Sequence, residues 1–302
     1  MELLYQRILF LGNVLVGTCV NIFAIVAIVH GRLYKQKSFT FVLSLFISNL
    51  LFCSIGTPIS TSSVFLPESQ KDSLCPFSGF LIFSLSGITY WSLALVSINR
   101  YVYIVHFTRF DAIFSRRNTG IIFIVTWLYY PIVFSLPMAE IWGHYDFVVN
   151  RHVCTPLAAN NGFRLFVLFS AFIFTGLPIT FCYIAILWKA KKTANRVEIA
   201  DRVISIRQRR ERQLVQSVIA MISVFAFLHI PFLITNLVDS SMNALDTWIH
   251  YSALFLVISS YWVNTITYSF MNQQIKASVV KLLRRLFKAE ETNLRRANTG
   301  RI

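Results

Sequence analysis

Seven stretches of this 302-residue chain run eighteen residues or longer without an Asp, Glu, Lys or Arg: 8–31, 38–67, 73–99, 118–139, 165–188, 213–238 and 247–275. A helix needs about 20 predominantly apolar residues to cross the hydrocarbon core of a bilayer, whereas a barrel strand needs about ten in alternation. Within lipid every backbone polar group must be satisfied inside its own segment, so runs this long should be helical. The expected fold class is an all-α membrane protein, a seven-transmembrane helix bundle. Charged residues make up only 14% of the chain and apolar residues 56%, which leaves too little polar surface to cover a soluble domain.

The net charge of +15 is a topology signal. With the N-terminus outside, 24 of the 28 Lys and Arg fall on cytoplasmic segments or the helix edges beside them; only Arg7, Lys71, Arg151 and Arg164 fall outside. The 13 acids divide six inside and seven outside, so the inside carries 24 − 6 = +18 and the outside 4 − 7 = −3. This is the positive-inside pattern, and a nucleic-acid partner is not expected from it. The boundaries read as an extracellular N-terminus over 1–7 and a membrane domain over 8–272. Its spans lie near 8–30, 39–64, 75–104, 119–138, 164–189, 212–238 and 247–271. The first run is too long for a cleaved signal peptide and lacks its basic start. Over 273–287, Ile275, Val279, Leu282, Leu283 and Leu286 share one face, with Lys276, Lys281, Arg284 and Arg285 on or beside the other. That pattern suits a helix lying on anionic membrane lipid; a cytoplasmic tail fills 288–302.

Transporters and pumps keep ionisable groups at mid-membrane, but these runs hold no acid. Arg100 borders the third, and His229 is the one histidine deep inside a span. No paired acids, Ser–His or Ser–Lys pair or metal set occurs at a spacing that supports hydrolysis, so no enzyme activity is expected. No Lys lies between 193 and 275, so a retinal Schiff base is not expected either, nor any other cofactor. Cys19, Cys53 and Cys182 fall inside spans as small apolar residues. Cys75 and Cys154 face the oxidising side, where a disulfide is the natural reading and two free thiols the alternative.

The chain also resembles the rhodopsin-like (class A) G-protein-coupled receptors. Asn21, the run ending at Asn49, Cys75, Asn99-Arg100-Tyr101, Trp127, Phe-Cys-Tyr at 181–183, Phe225-x-x-x-His229-x-Pro231 and Asn264-Thr265-x-x-Tyr268 stand in that family's order. Within it, Ser97 to His106 followed by Phe110-Asp111, and Cys75-x-x-Ser78-Gly79-Phe80-Leu81, look like the melatonin-receptor type. Pro137, Met138, Pro156 and Ala158 replace that type's ligand anchors, so the closest resemblance is to a divergent melatonin-receptor-like orphan.

The resemblance implies a plasma-membrane receptor that binds an extracellular ligand and activates a heterotrimeric G protein. Asn99, Arg100, Tyr101, Glu211, Tyr183 and Tyr268 would form the G-protein switch. Asn21, Asn49, Phe225, His229, Pro231 and Asn264 would form the core switch. Ile82, Ser86, Phe232, Asn236 and His250 would face the ligand pocket. Ile82 stands where amine receptors carry an acid, which favours a small, mostly apolar ligand over a cation. Asn49 replaces the acid that holds sodium, Thr265 replaces a helix-bending Pro, and Pro178 stands closer to Tyr183 than is usual, displacing the kink of span five. Glu211, twenty residues before Pro231 and so about 30 Å along a helix, would either clamp Arg100 or merely offset Arg209, Arg210 and Arg212. A transporter or scramblase-like protein, or a receptor homologue that no longer signals, are the alternatives.

Overall fold

The computed structural model describes residues 2–61, 68–148, 153–156, 161–194, 202–239 and 244–285; the expected tail over 288–302 lies outside them. Span one is Glu2–His30. Span two is Thr40–Leu51, continued through Phe52–Gly56 and Thr57–Thr61. Spans three and four are Glu68–Val105 and Arg116–Met138. Span five is Asn161–Ala171, Phe172–Gly176 and Leu177–Ala194, span six is Arg202–Val238 and span seven is Thr247–Met271. Six of the seven are long and apolar enough to cross a membrane, and span six adds the shorter apolar helix Ile222–Val238. Spans three and six extend well beyond their uncharged runs, because charged residues do not oppose a helix once it leaves the lipid.

Two irregularities share one cause. Spans two and five each contain a π turn, Phe52–Gly56 and Phe172–Gly176, and each turn ends two residues before a proline, Pro58 and Pro178. A proline ring lacks the N–H and collides with the carbonyl four residues back, and a wider turn moves that carbonyl aside. Thr57 closes the first turn twice, its backbone N–H and its Oγ1 both donating to the Phe52 carbonyl, the hydroxyl at 2.9 Å. Span seven has Thr265 where a proline would bend it, and it runs as one unbroken helix.

Span three is the axis of the bundle. Trp127 Nε1 of span four donates to Ser44 Oγ at 3.1 Å, and the Ser44 and Ser92 hydroxyls share a further bond of 3.1 Å, so spans two, three and four are tied at one level. Gly87 lets the span-three backbone touch span four: a Cβ there would lie 2.1 Å from the Tyr130 ring. Span one is held to span seven by Asn13, whose Oδ1 accepts from Ser259 Oγ at 3.0 Å and Trp262 Nε1 at 2.8 Å.

At one end a two-stranded antiparallel hairpin, β1 (Asp146–Val148) and β2 (Val153–Thr155), lies over the bundle. Cys154 of β2 is disulfide-bonded to Cys75 of span three with Cα atoms 5.2 Å apart. Tyr145 precedes β1 and donates to the Phe134 carbonyl at 2.9 Å; burial pushes its phenol up from the ordinary tyrosine range. At the opposite end, the Lys37 and Asp111 side chains pair at 2.7 Å across two connecting segments. There 273–285 forms a helix that buries Ile275 and seats Ser278 against Gly31 at the end of span one, leaving Lys276, Lys281, Arg284 and Arg285 exposed. Leu283 is exposed as well, and Leu286 lies outside the described residues.

Candidate functional site

The Arg100 end is built on one buried cation. Arg100 is 1% exposed, although an arginine is almost never fully buried without partners. Its Nη2 donates to the Tyr268 hydroxyl of span seven at 2.7 Å, and its guanidinium carbon lies 5.5 Å from the centroid of the Phe39 ring. Phe46 meets Tyr268 edge-on. Among the described residues, Asn99 is buried with no hydrogen bond to either amide atom, and Arg100 Nε is equally unpartnered. Tyr101 shares a hydrogen bond with His106 Nε2 at 3.1 Å. Tyr183 sits half-buried on span five. Glu211 falls on the span-six helix, but its side chain lies outside the described residues.

A second lysine contact was not legible in sequence. Lys189 Nζ of span five donates to the Ile104 and Val105 carbonyls, the second at 3.3 Å. The last carbonyls of a helix have no partner within it, and a cation there is favoured by the helix dipole. Span five thus caps span three.

Midway along the bundle, a set of neutral groups joins spans one, two, three and seven. Asn49 Nδ2 donates to Thr265 Oγ1 at 3.2 Å, and Thr265 donates to Asn21 Oδ1 at 2.7 Å. Thr89 is bonded to Ser48 at 3.0 Å and to Asn49 Oδ1 at 3.4 Å. Asn49 therefore spends its donor on span seven and its acceptor on span three. Asn264 is buried beside this set with its Oδ1 unbonded.

Nearer the disulfide end lie the residues expected around a pocket. Ile82 is buried, with its Cδ1 against Gly56. Ser86 accepts from Tyr261 at 2.9 Å and donates to the Ile82 carbonyl at 2.7 Å. Asn236 Nδ2 donates to the Phe232 carbonyl one turn back at 2.6 Å, and both side chains are half-buried. His229 stacks on Phe225 with ring centroids 3.8 Å apart, next to Pro231 in span six. Its Nδ1 lies 2.8 Å from the Phe225 carbonyl.

His250 is fully buried, and its Nε2 lies 3.0 Å from Asp239 Oδ2. The same oxygen accepts from the backbone N–H groups of Ala244 and Leu245 at 3.0 and 2.9 Å. Asp239, just past span six, was missed because it only bounded an uncharged run. The available signal was an acid and a histidine eleven residues apart, flanking one connection between two apolar spans. Ionisable groups so placed need a partner.

The profile described as "7 transmembrane receptor (rhodopsin family)" matches residues 20–271. The G-protein coupled receptor moody of Drosophila pseudoobscura pseudoobscura is 26% identical over 189 residues, 61% of this chain, and the match spans only 28% of that protein's length. Melatonin receptor type 1A of Gallus gallus is 23% identical over 90% of this chain and 80% of its own, a distant likeness. The crystal structure of squid rhodopsin superposes with a TM-score of 0.77 at 17% identity, covering 94% of this chain and 86% of that one.

Proposed function

Because the chain belongs to the rhodopsin family of seven-transmembrane receptors, whose members signal and are not enzymes, we propose that it is a plasma-membrane receptor coupled to a heterotrimeric G protein. The disulfide end faces outside with the N-terminus, and the Arg100 end and the C-terminus face the cytoplasm, a reading supported by the distribution of Lys and Arg. The ligand is small, mostly apolar and extracellular, held between the outer halves of the helices near Ser86, His229 and Phe232. Binding shifts the population toward a state in which span six moves away from span three and opens a cytoplasmic cleft.

The observation that carries this reading is the state of Arg100. A permanently charged group is buried at the cytoplasmic end of span three, joined by one bond to the hydroxyl of span seven. Such a cation is held for use: helix separation frees it to meet a partner in the cleft. A homologue that no longer signals is the second reading, favoured by Asn99, whose amide leaves Arg100 without an acid beside it. Nucleotide exchange on purified heterotrimers, with the full chain in lipid nanodiscs, tests both. Exchange above that of empty nanodiscs supports coupling; none with any Gα class supports the silent homologue.

A further inference from the structure

We propose that His229 Nε2 is the acceptor for a hydrogen-bond donor on the ligand, so that the ligand class is an uncharged, largely aromatic molecule carrying an N–H or O–H at its deep end. This rests on the receptor reading above and specifies the chemistry of the same site.

The other ring nitrogen fixes the tautomer. Nδ1 lies 2.8 Å from the Phe225 carbonyl. A carbonyl only accepts, so Nδ1 carries the hydrogen. In a neutral imidazole, Nε2 is then a bare lone pair. That atom is buried and has no partner among the described residues. A buried acceptor left unsatisfied is destabilised relative to one that is bonded, and an arriving donor relieves it.

The neighbours show why the missing group is a donor. Phe225 stacks on the imidazole, and Tyr90 of span three stands edge-on to both rings, 5.4 Å from Phe225 and 5.7 Å from His229. Two nearby hydroxyls are committed elsewhere: Tyr261 donates to Ser86, and Ser86 donates to the Ile82 carbonyl. Neither turns to His229. His229 Nε2 is thus an open acceptor walled by aromatic rings, which fits a flat ring with a polar hydrogen. A carbonyl or ether there would meet lone pair with lone pair. Ser86 and Phe232, one turn toward the disulfide end, are only half-buried and flank the approach.

Matched probes in which a methyl replaces the polar hydrogen test this on the full chain in nanodiscs: 2-naphthol against 2-methoxynaphthalene, and indole against N-methylindole. Affinity is read by competition-independent ligand-observed NMR, and the imidazole by the 15N resonance of Nε2 in histidine-labelled protein. In each pair the donor should bind roughly tenfold more tightly and move the Nε2 resonance, while its methylated partner does neither. His229→Phe should erase the preference, and His229→Gln, which keeps an acceptor, should retain part of it. Equal response within both pairs, including none at millimolar concentration, overturns the proposal, as does a preference that survives in His229→Phe. If the pairs are discriminated but nucleotide exchange never occurs, the signalling reading fails and this one stands.

Discussion

Arg100 Nη2 and the Tyr268 hydroxyl, 168 residues apart in the chain, meet at 2.7 Å and form a direct hydrogen bond between span three and span seven. Removing one partner of a bond to a buried charge leaves that charge unsatisfied. Tyr268→Phe should therefore destabilise the detergent-solubilised chain by about 1.5–3 kcal/mol, read as a lowered melting temperature. An unchanged melting temperature would show that water replaces the hydroxyl without loss.

Asn99 offers the neighbouring guanidinium nothing but an amide. Placing a carboxylate there gives Arg100 a second restraint, so Asn99→Asp should lower ligand-independent nucleotide exchange. Glu211→Gln tests the complementary clamp from span six. A partly exposed ion pair contributes on the order of 1 kcal/mol, a several-fold population shift, and its loss should raise basal exchange at matched surface expression. No change in the Gln variant would assign Glu211 to its arginine neighbours alone.

Sodium should act weakly on agonist affinity at constant ionic strength. Asn49 has no charge, and its amide donates to Thr265 and lies within reach of Thr89 through its oxygen, so a cation would have to break both contacts without a carboxylate to compensate its desolvation. Titration with NaCl against N-methylglucamine chloride checks this. A specific sodium effect that disappears in Asn49→Ala would contradict it.

The contact of Gly87 with Tyr130 predicts a paired outcome. Gly87→Ala forces a methyl into the ring and should cost about 1–3 kcal/mol by overpacking, visible as reduced surface expression. Gly87→Ala combined with Tyr130→Leu should recover part of the loss. A double variant no better than the single would place the defect elsewhere.

Asp239 Oδ2 serves three donors, so Asp239→Ala leaves His250 and two backbone N–H groups without their acceptor. The expected loss is about 3–5 kcal/mol, as for a buried pair broken at one side, with unfolding beginning at the connection between spans six and seven. Hydrogen exchange at 244–250 should rise before that of the remaining spans; uniform exchange would argue against a local role.

The fold was open to sequence reading because lipid enforces a one-dimensional rule: a span must be long and uncharged, and the gaps between charges could be counted. The Cys75–Cys154 bridge was legible because the distribution of Lys and Arg put both cysteines on the side expected to be oxidising. Contacts made across the bundle were hidden. Nothing in the spacing of Arg100 and Tyr268, or of Lys189 and Ile104, says that they meet, because helix rotation and tilt decide it. His250 was expected to face the ligand pocket, and its bond to Asp239 depends on a connecting loop whose path hydropathy does not encode. The π turns were equally silent, since a proline in a membrane helix can be accommodated in several ways.

Those two wide turns also bear on how this chain can change over generations. Each holds one residue more than a turn of α-helix, and the wider winding absorbs it locally, so the two halves of the span keep the facing that regular winding would give them. Deleting one residue within Phe52–Gly56 or Phe172–Gly176 would return that turn to 3.6 residues without rotating either half. A single-codon loss, which elsewhere in a membrane helix turns everything beyond it by about 100°, is here confined to one turn.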